Sequence, residues 1–322
     1  MSGEDGEKKE GKRDNLFLRV SRYERAKRKT LKMSSYLSTV DGRLSRQLAG
    51  CASYLVFRNY HTVGKLKLTK ANFCKTHLLC VFCAIRRGAK YLQAYADRYR
   101  VIRESHPGLC MELVTFTVKN GDDLGERFRH LSDSLQKLRD RKYDSRRGRS
   151  SSEWGKVRGA VGAFEITNRG RGWHPHAHDI VLSDHGIGQE PLRDEWKEIT
   201  GDSFEIDVRP LDKHEDPEKD FSEVFKYAIS LGDLSEDRNY EAYEVLKGRK
   251  LVFSQGLFRG VKVPDSLTDA ALQGLAYQEI LYRWYNSGGY SVERFKQFDA
   301  CENKGGQDGL EKKIWEEKRG QA

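Results

Sequence analysis

Residues 157–182 read VRGAVGAFEITNRGRGWHPHAHDIVL, and this stretch decides the fold class. Residues 157–167 read as one strand and 175–182 as its neighbour, with turn residues in the linker NRGRGW. A linker this short joins antiparallel strands, because a parallel pair needs a crossover of a dozen or more residues. The strands and helices elsewhere therefore do not assemble as a βαβ parallel sheet. The expected class is α+β, with a central antiparallel sheet, flanking helices and a small cysteine-rich element resembling a zinc knuckle.

Residues i and i+2 of a strand point to one face. His176 and His178 thus present two imidazoles side by side, and Ile180 and Leu182 continue their face. Two neutral imidazoles on a rigid strand are half of a divalent-metal site. Directly opposed residues of an antiparallel pair share a face. A turn centred on Gly170 and Arg171 sets Glu165 opposite His176, and a two-residue register step sets it opposite His178. Either way Glu165 is a third candidate ligand. Two histidines and a carboxylate suit Mg²⁺ or Mn²⁺ and leave positions for water and phosphate oxygens. An HxH pair alone is more often two ordinary strand histidines. Three histidines with an acid on the adjacent strand strengthen the metal reading. His174 precedes Pro175 at the strand's start and ranks below the other two, as a ligand, a DNA contact or an orienting group.

A second feature is Glu223-Val224-Phe225-Lys226-Tyr227. On a helix, Glu223 and Tyr227 share a face. A phenol with a pKa near ~10 must be activated to attack phosphate, and a nearby metal and Lys226 favour the phenolate. Attack by the phenolate would leave a phosphotyrosine, a bond that keeps the phosphodiester energy for rejoining. Glu223, one turn away, is placed to act as general base on water. The plain alternative is a helix with an exposed Glu and a buried Tyr. Tyr240 and Tyr243 are rivals, but neither has an acid at this spacing with an adjacent Lys.

The chain has 322 residues, enough for one large domain or two modest ones. A net charge of +10 favours a polyanionic partner, nucleic acid first. No stretch approaches the ~20 apolar residues of a membrane span. Met1 to Asp14 contain no apolar run, which argues against a signal peptide and for a cytoplasmic protein with reduced cysteines. Cys51, Cys74, Cys80 and Cys83 then read as a structural zinc site, with Cys80-x-x-Cys83 at knuckle spacing. His77 can replace one thiolate. A redox CxxC fits less well, because no thioredoxin-like context surrounds it. Cys110 and Cys301 are left for packing.

Four segments are expected: a disordered, basic N-terminal segment over 1–34, a cysteine-rich element and helix over 35–104, a catalytic domain over 105–262, and a C-terminal helix with a disordered tail over 263–322. The basic run of the first segment contains Arg19, Arg22, Arg25, Lys27, Arg28, Lys29 and Lys32. Strands are expected at 54–57, 65–68, 111–119 and 204–209. Helices are expected at 84–104, 124–142, 190–199, 221–231, 236–247 and 268–285. An arginine-dense loop over 139–149 reads as a flexible DNA clamp.

In combination, these pieces resemble the rolling-circle replication initiators of small plasmids, the Rep proteins of the HUH endonuclease superfamily. The resemblance covers about Cys51 to Gly260. NFCKTHLLCVFCAIRRGAK is similar to the family's cysteine-rich segment, LVTFTVKN to its first motif strand, GAFEITNRGRGWHPHAHDIVL to its metal motif, and SEVFKYAISL to its nucleophile motif. His77 and Val81 depart from the family pattern, which has Arg and Pro there. The resemblance implies a nickase and strand transferase acting at a plasmid double-strand origin, with a 5′-phosphotyrosine and a free 3′-hydroxyl as the product. It implies Tyr227 as nucleophile, His176 and His178 as metal ligands, and Glu223 as water activator, in the branch that pairs one Tyr with a Glu four residues earlier. No GxxxxGK[ST] occurs, so unwinding is expected from a host helicase, with host replication machinery as further partners. The alternatives are a relaxase or transposase of the same chemistry, and a non-catalytic, zinc-containing DNA-binding protein.

Overall fold

The computed structural model describes residues 16–211, 217–227, 234–264 and 275–299, apart from the side chains of residues 217, 218, 223, 226 and 227. The expected disorder of residues 1–14, and of the tail from Gly305, lies outside the described residues. The chain divides into two units that do not follow its linear order. One gathers Met1–Arg28, Ala49–Phe73 and Thr268–Ala322; the other gathers Lys29–Leu48 and Cys74–Leu267.

The first unit holds a four-stranded antiparallel sheet of order β2-β1-β8-β9, from β1 (Tyr54–Tyr60), β2 (Lys65–Ala71), β8 (Tyr277–Tyr285) and β9 (Gly289–Phe298). Gly64 turns the first hairpin with a φ of +63°. α1 (Leu16–Leu37) begins in this unit. Tyr23 of α1 packs near Phe57, and the buried Lys27 ammonium donates to the carbonyls of Ala49 and Cys51. Two expectations are corrected here. Residues 16–34 are helical, not disordered. Residues 277–285 are a strand, not part of a helix, while 265–274 lie outside the described residues. The continuous apolar run Ile280–Tyr282 hides the two-residue period, and pairing with β1 decides the conformation.

The second unit holds the predicted hairpin within a five-stranded antiparallel sheet of order β6-β3-β5-β4-β7. The strands are β3 (Cys110–Thr117), β4 (Val157–Asn168), β5 (Trp173–Ser183), β6 (Ile206–Pro210) and β7 (Val252–Gly256). The sheet has an apolar cluster on each face. One joins Phe116, Phe164, Ala177 and Val181 to α4 (Leu124–Arg146), α5 (Gln189–Thr200) and α7 (Glu236–Leu246). Trp154, Trp173 and Trp196 are fully buried in it, and truncating any one to Ala costs about 3–5 kcal/mol. The other cluster joins Leu113, Val161, Ile180 and Leu182 to α3 (Val81–Ser105) and α6 (Pro217–Tyr227). The tyrosines expected as a core stripe, Tyr95 and Tyr99, are buried in this second cluster with Tyr91 and Leu92 against it.

Local signals set the helix ends. The Asp123 carboxylate accepts from Glu126 N at 2.8 Å and starts α4. Gly201 ends α5 in the left-handed region, with φ +76°. The short helix α2 (Gly42–Gly50) completes the N-terminal region, with Asp41 Oδ1 accepting from Leu44 N at 2.9 Å.

The clamp expected at 139–149 is corrected. α4 runs to Arg146, and most of its terminal cations are engaged. Arg141 makes a two-pronged pair with Glu198 at 2.8 Å and 2.8 Å, Lys142 is buried, and Arg146 donates to the Val157 carbonyl at 2.6 Å. Arg147 and Arg149 remain exposed.

Candidate active site

β5 lies between β3 and β4, so each of its residues has a partner on one or both sides. Its burial alternates from Trp173 to Asp179. Trp173, Ala177 and Val181 enter the α4–α5–α7 cluster. His174, His176 and His178 take the other face, which Ile180 and Leu182 continue into the α3–α6 cluster. Pro175 is tolerated because pairing with β3 begins one residue later, at His176 opposite Thr117.

The register of the hairpin sets Glu165 directly opposite His176. Glu165 Oε2 lies 2.8 Å from His176 Nε2 and 2.9 Å from His178 Nε2. The two imidazoles are 4.8 Å apart and nearly perpendicular, at 86°. Both point Nε2 at the carboxylate because Nδ1 is occupied. His178 Nδ1 lies 3.1 Å from Thr115 Oγ1, and His176 Nδ1 lies 3.3 Å from the His174 carbonyl. Burial would push the Glu165 carboxyl up, but the hydrogen bonds from His176 and His178 outweigh it and hold it at about 2. The three side chains are 13 to 18% exposed, so the group is reachable from solvent. One anionic oxygen and two imidazole nitrogens within 4.8 Å of one another form a donor set that fits a divalent cation.

His174 is placed differently. Its Nδ1 bonds Asn120 Oδ1, and it does not belong to the Glu165, His176 and His178 group. Burial pushes its imidazole below the usual range, with His176 adding to the effect. Asn120 is held by a backbone bridge, in which Trp173 N donates to Gly121 O at 2.7 Å and Gly121 N to Trp173 O at 3.1 Å. Gly172, at φ +84°, permits this approach, since a Cβ there would sit 2.8 Å from Gly121 O. Sequence reasoning missed Asn120 as the partner of His174 and Thr115 as the partner of His178. For Thr115 a signal was present, because its position in the strand LVTFTVK gives it the face of Leu113 and Thr117.

Glu223, Lys226 and Tyr227 lie on α6, whose backbone is helical through Tyr227. Their side chains lie outside the described residues. The helix is anchored by Phe221, Val224 and Phe225, buried in the same cluster as Ile180 and Leu182. α6 therefore covers the histidine face of the sheet. The rival Tyr243 packs against the cluster of the opposite face, and Tyr240 lies near Tyr36.

Of the four cysteines, Cys74, Cys80 and Cys83 fall in the second unit and Cys51 in the first. Cys74 Sγ lies 3.6 Å from Cys83 Sγ. Cys80 caps α3, its Sγ accepting from Cys83 N at 3.5 Å. Thiolates at a helix N-terminus are favoured by the helix dipole. These three sulfurs lie within 4.8 Å of one another and fit a zinc ion. Cys51 is buried, with its Sγ 3.7 Å from the Asn72 carbonyl. His77 is held at about 4 by burial, with Arg87 adding to the effect.

The basic run of α1 is partly structural. Arg19 donates to the Leu66 carbonyl at 2.7 Å, and Arg28 pairs with Glu24. Arg22, Arg25, Lys29 and Lys32 form an exposed stripe. Among the described residues no helix is long and apolar enough to cross a membrane.

Comparison with known proteins gives consistent matches. Residues 65–280 match a family described as "Replication protein". A "Protein rep" of Bacillus sp is 29% identical over 175 residues, 52% of this chain and 53% of that protein. One of Bacillus amyloliquefaciens is 28% identical over 178 residues, 53% of this chain and 49% of that protein. One of Staphylococcus aureus is 27% identical over 190 residues, 55% of this chain and 78% of that protein. The matched region is thus about half the length of the two Bacillus relatives. No solved structure matches the chain.

Proposed function

The chain belongs to the replication protein family, and on that premise we propose that it initiates plasmid rolling-circle replication by nicking one strand of the origin. The observation that carries this reading is the shared sheet face. The helix ending at Tyr227 packs on the same face that presents Glu165, His176 and His178.

In this reading Tyr227 Oη attacks the scissile phosphorus. An O–P bond to tyrosine forms as the bond to the 3′ oxygen breaks, and the departing 3′-hydroxyl takes a proton. The nicked strand keeps a free 3′ end for extension, and its 5′ end stays on the protein. Lys226 favours the phenolate by charge. Glu223, one turn from Tyr227 on α6, accepts a proton from the water that hydrolyses a later cleavage and releases the protein. Glu165, His176 and His178 would hold Mg²⁺ or Mn²⁺, which when bound would polarise the scissile phosphate and offset charge developing on it. Thr115 and the His174 carbonyl hold the two imidazoles with Nε2 inward. Cys74, Cys80 and Cys83 would hold structural zinc.

The partners in this reading are plasmid origin DNA and the host helicase and replication machinery. The test is a supercoiled-plasmid nicking assay with Tyr227→Phe. Loss of nicking with retained DNA binding supports the proposal. Undiminished nicking by Tyr227→Phe refutes Tyr227 as nucleophile.

A further inference from the structure

We propose that one face of the first unit's sheet binds the phosphate backbone of duplex DNA. The inference rests on the DNA-acting function above and assigns a surface to it. Pairing register sorts this sheet's side chains. Phe57, Leu68, Ile280 and Tyr282 share the face toward α1, where Tyr23 lies 6.0 Å from Phe57 and Arg28 sits over Trp284. The opposite face collects cations from both outer strands. Lys65, Lys67 and Lys70 come from β2, and Arg294 and Lys296 from β9. Arg283 of β8 stands between them.

Among the described residues, Glu279 and Glu293 are engaged by arginines. Glu279 lies 3.1 Å from Arg58, and Glu293, at a bulge in β9, lies 2.8 Å from Arg283. Lys65, Arg294 and Lys296 are exposed, and Lys67, Lys70 and Arg283 half-buried. The two outer strands are three strand spacings apart, on the order of 14 Å. That is comparable to the roughly 12 Å width of the major groove of B-DNA. The rows can therefore meet phosphates of the two strands flanking one groove. Single-stranded DNA fits less well, because a stacking platform needs open aromatic faces. Tyr60 and Tyr277 are buried here against each other and Phe298, with Arg58 4.3 Å from the Tyr277 ring centre. The surface thus offers charge and little ring area, which suits backbone contact without base reading.

The test is fluorescence anisotropy of the full-length protein on a labelled 30-base-pair duplex of arbitrary sequence, across a salt series. Each phosphate contact adds about 0.9 to the slope of log affinity against log salt. The variant Lys65→Gln, Lys67→Gln, Arg294→Gln, Lys296→Gln is expected to flatten the slope by roughly 3 to 4. A control with equal charge loss on the α1 stripe, Arg22→Gln, Arg25→Gln, Lys29→Gln, Lys32→Gln, is expected to change it by less than about 1. If the quadruple sheet variant misfolds by circular dichroism, the β2 pair and the β9 pair are each expected to give about half the change. A sheet variant that binds as wild type, an α1 control that carries the loss, or a wild type that does not bind the duplex overturns the proposal. Nicking of single-stranded DNA carrying the origin sequence by the wild type is scored separately. Its presence alongside any of these failures leaves the nickase reading standing, and its absence refutes that reading whatever the duplex binding.

Discussion

Glu165 and His176 are direct cross-strand partners, and Glu165 Oε2 lies 2.8 Å from His176 Nε2. The same oxygen lies 2.9 Å from His178 Nε2, so one carboxylate on β4 gathers both imidazoles of β5. Glu165→Gln keeps the shape and removes the charge. Mn²⁺ affinity by calorimetry is expected to fall by about tenfold or more, or about 1.4 kcal/mol, with the thermal transition of the fold retained. Unchanged affinity removes Glu165 from the ligand set.

Thr115 acts through His178. Its Oγ1 is 3.1 Å from Nδ1 and holds the ring with Nε2 turned towards Glu165. Thr115→Val is expected to lower Mn²⁺ affinity by about 10- to 100-fold and to shift the His178 ring nitrogens in ¹⁵N spectra. Thr115→Ser is expected to restore both. A valine variant with wild-type spectra assigns Thr115 to packing alone.

Lys142 is buried, with Nζ 3.5 Å from Gln255 Oε1, and burial lowers its ammonium to about 8, with Arg146 adding to the effect. The unfolded chain holds that proton more tightly. Its cost to stability is therefore fully present below pH 8 and fades as pH rises towards about 10.5. Lys142→Met is expected to raise the denaturation midpoint at pH 7 and to flatten the rise between pH 8 and pH 10. A variant less stable than wild type at pH 7 contradicts this.

Gly162 of β4 faces Asp179 of β5 and Phe253 of β7. A Cβ at Gly162 would overlap Asp179 Oδ1 and come within 2.7 Å of Phe253 Cε2. Gly162→Ala is expected to cost about 1–3 kcal/mol or more of stability in denaturant titration. A neutral effect shows that the strand pair can shift without cost.

The hairpin was legible because its signals are local. Alternation in HPHAHDIVL and the turn glycines marked both strands and brought Glu165 opposite His176 or His178, and the observed register selects His176. Tyr277–Tyr285 was not legible as a strand, because its partner β1 lies more than two hundred residues earlier and no neighbouring sequence records that pairing. The short edge strand Val252–Gly256 was missed for a similar reason: among the described residues it pairs with β4 alone, about ninety residues earlier. In the candidate site, residue identity pointed to Glu165, His176 and His178, which the structure brings together, and to His174, which it places apart. The role of Asn120 depends on a hydrogen bond that composition and spacing do not encode, and for Thr115 the strand period gives the face while the pairing of β3 with β5 gives the partner. The arginines near 139–149 read as a loop because charge density masked a helix that continues to Arg146, two residues before Gly148 turns the chain at φ +68°.

The most direct measurement is mass spectrometry of the protein after incubation with Mn²⁺ and supercoiled plasmid carrying its origin. The account predicts a 5′-linked DNA adduct on Tyr227 that chelation with EDTA abolishes. Nicked plasmid with no adduct on any tyrosine would contradict it, and would assign cleavage to water without a covalent intermediate.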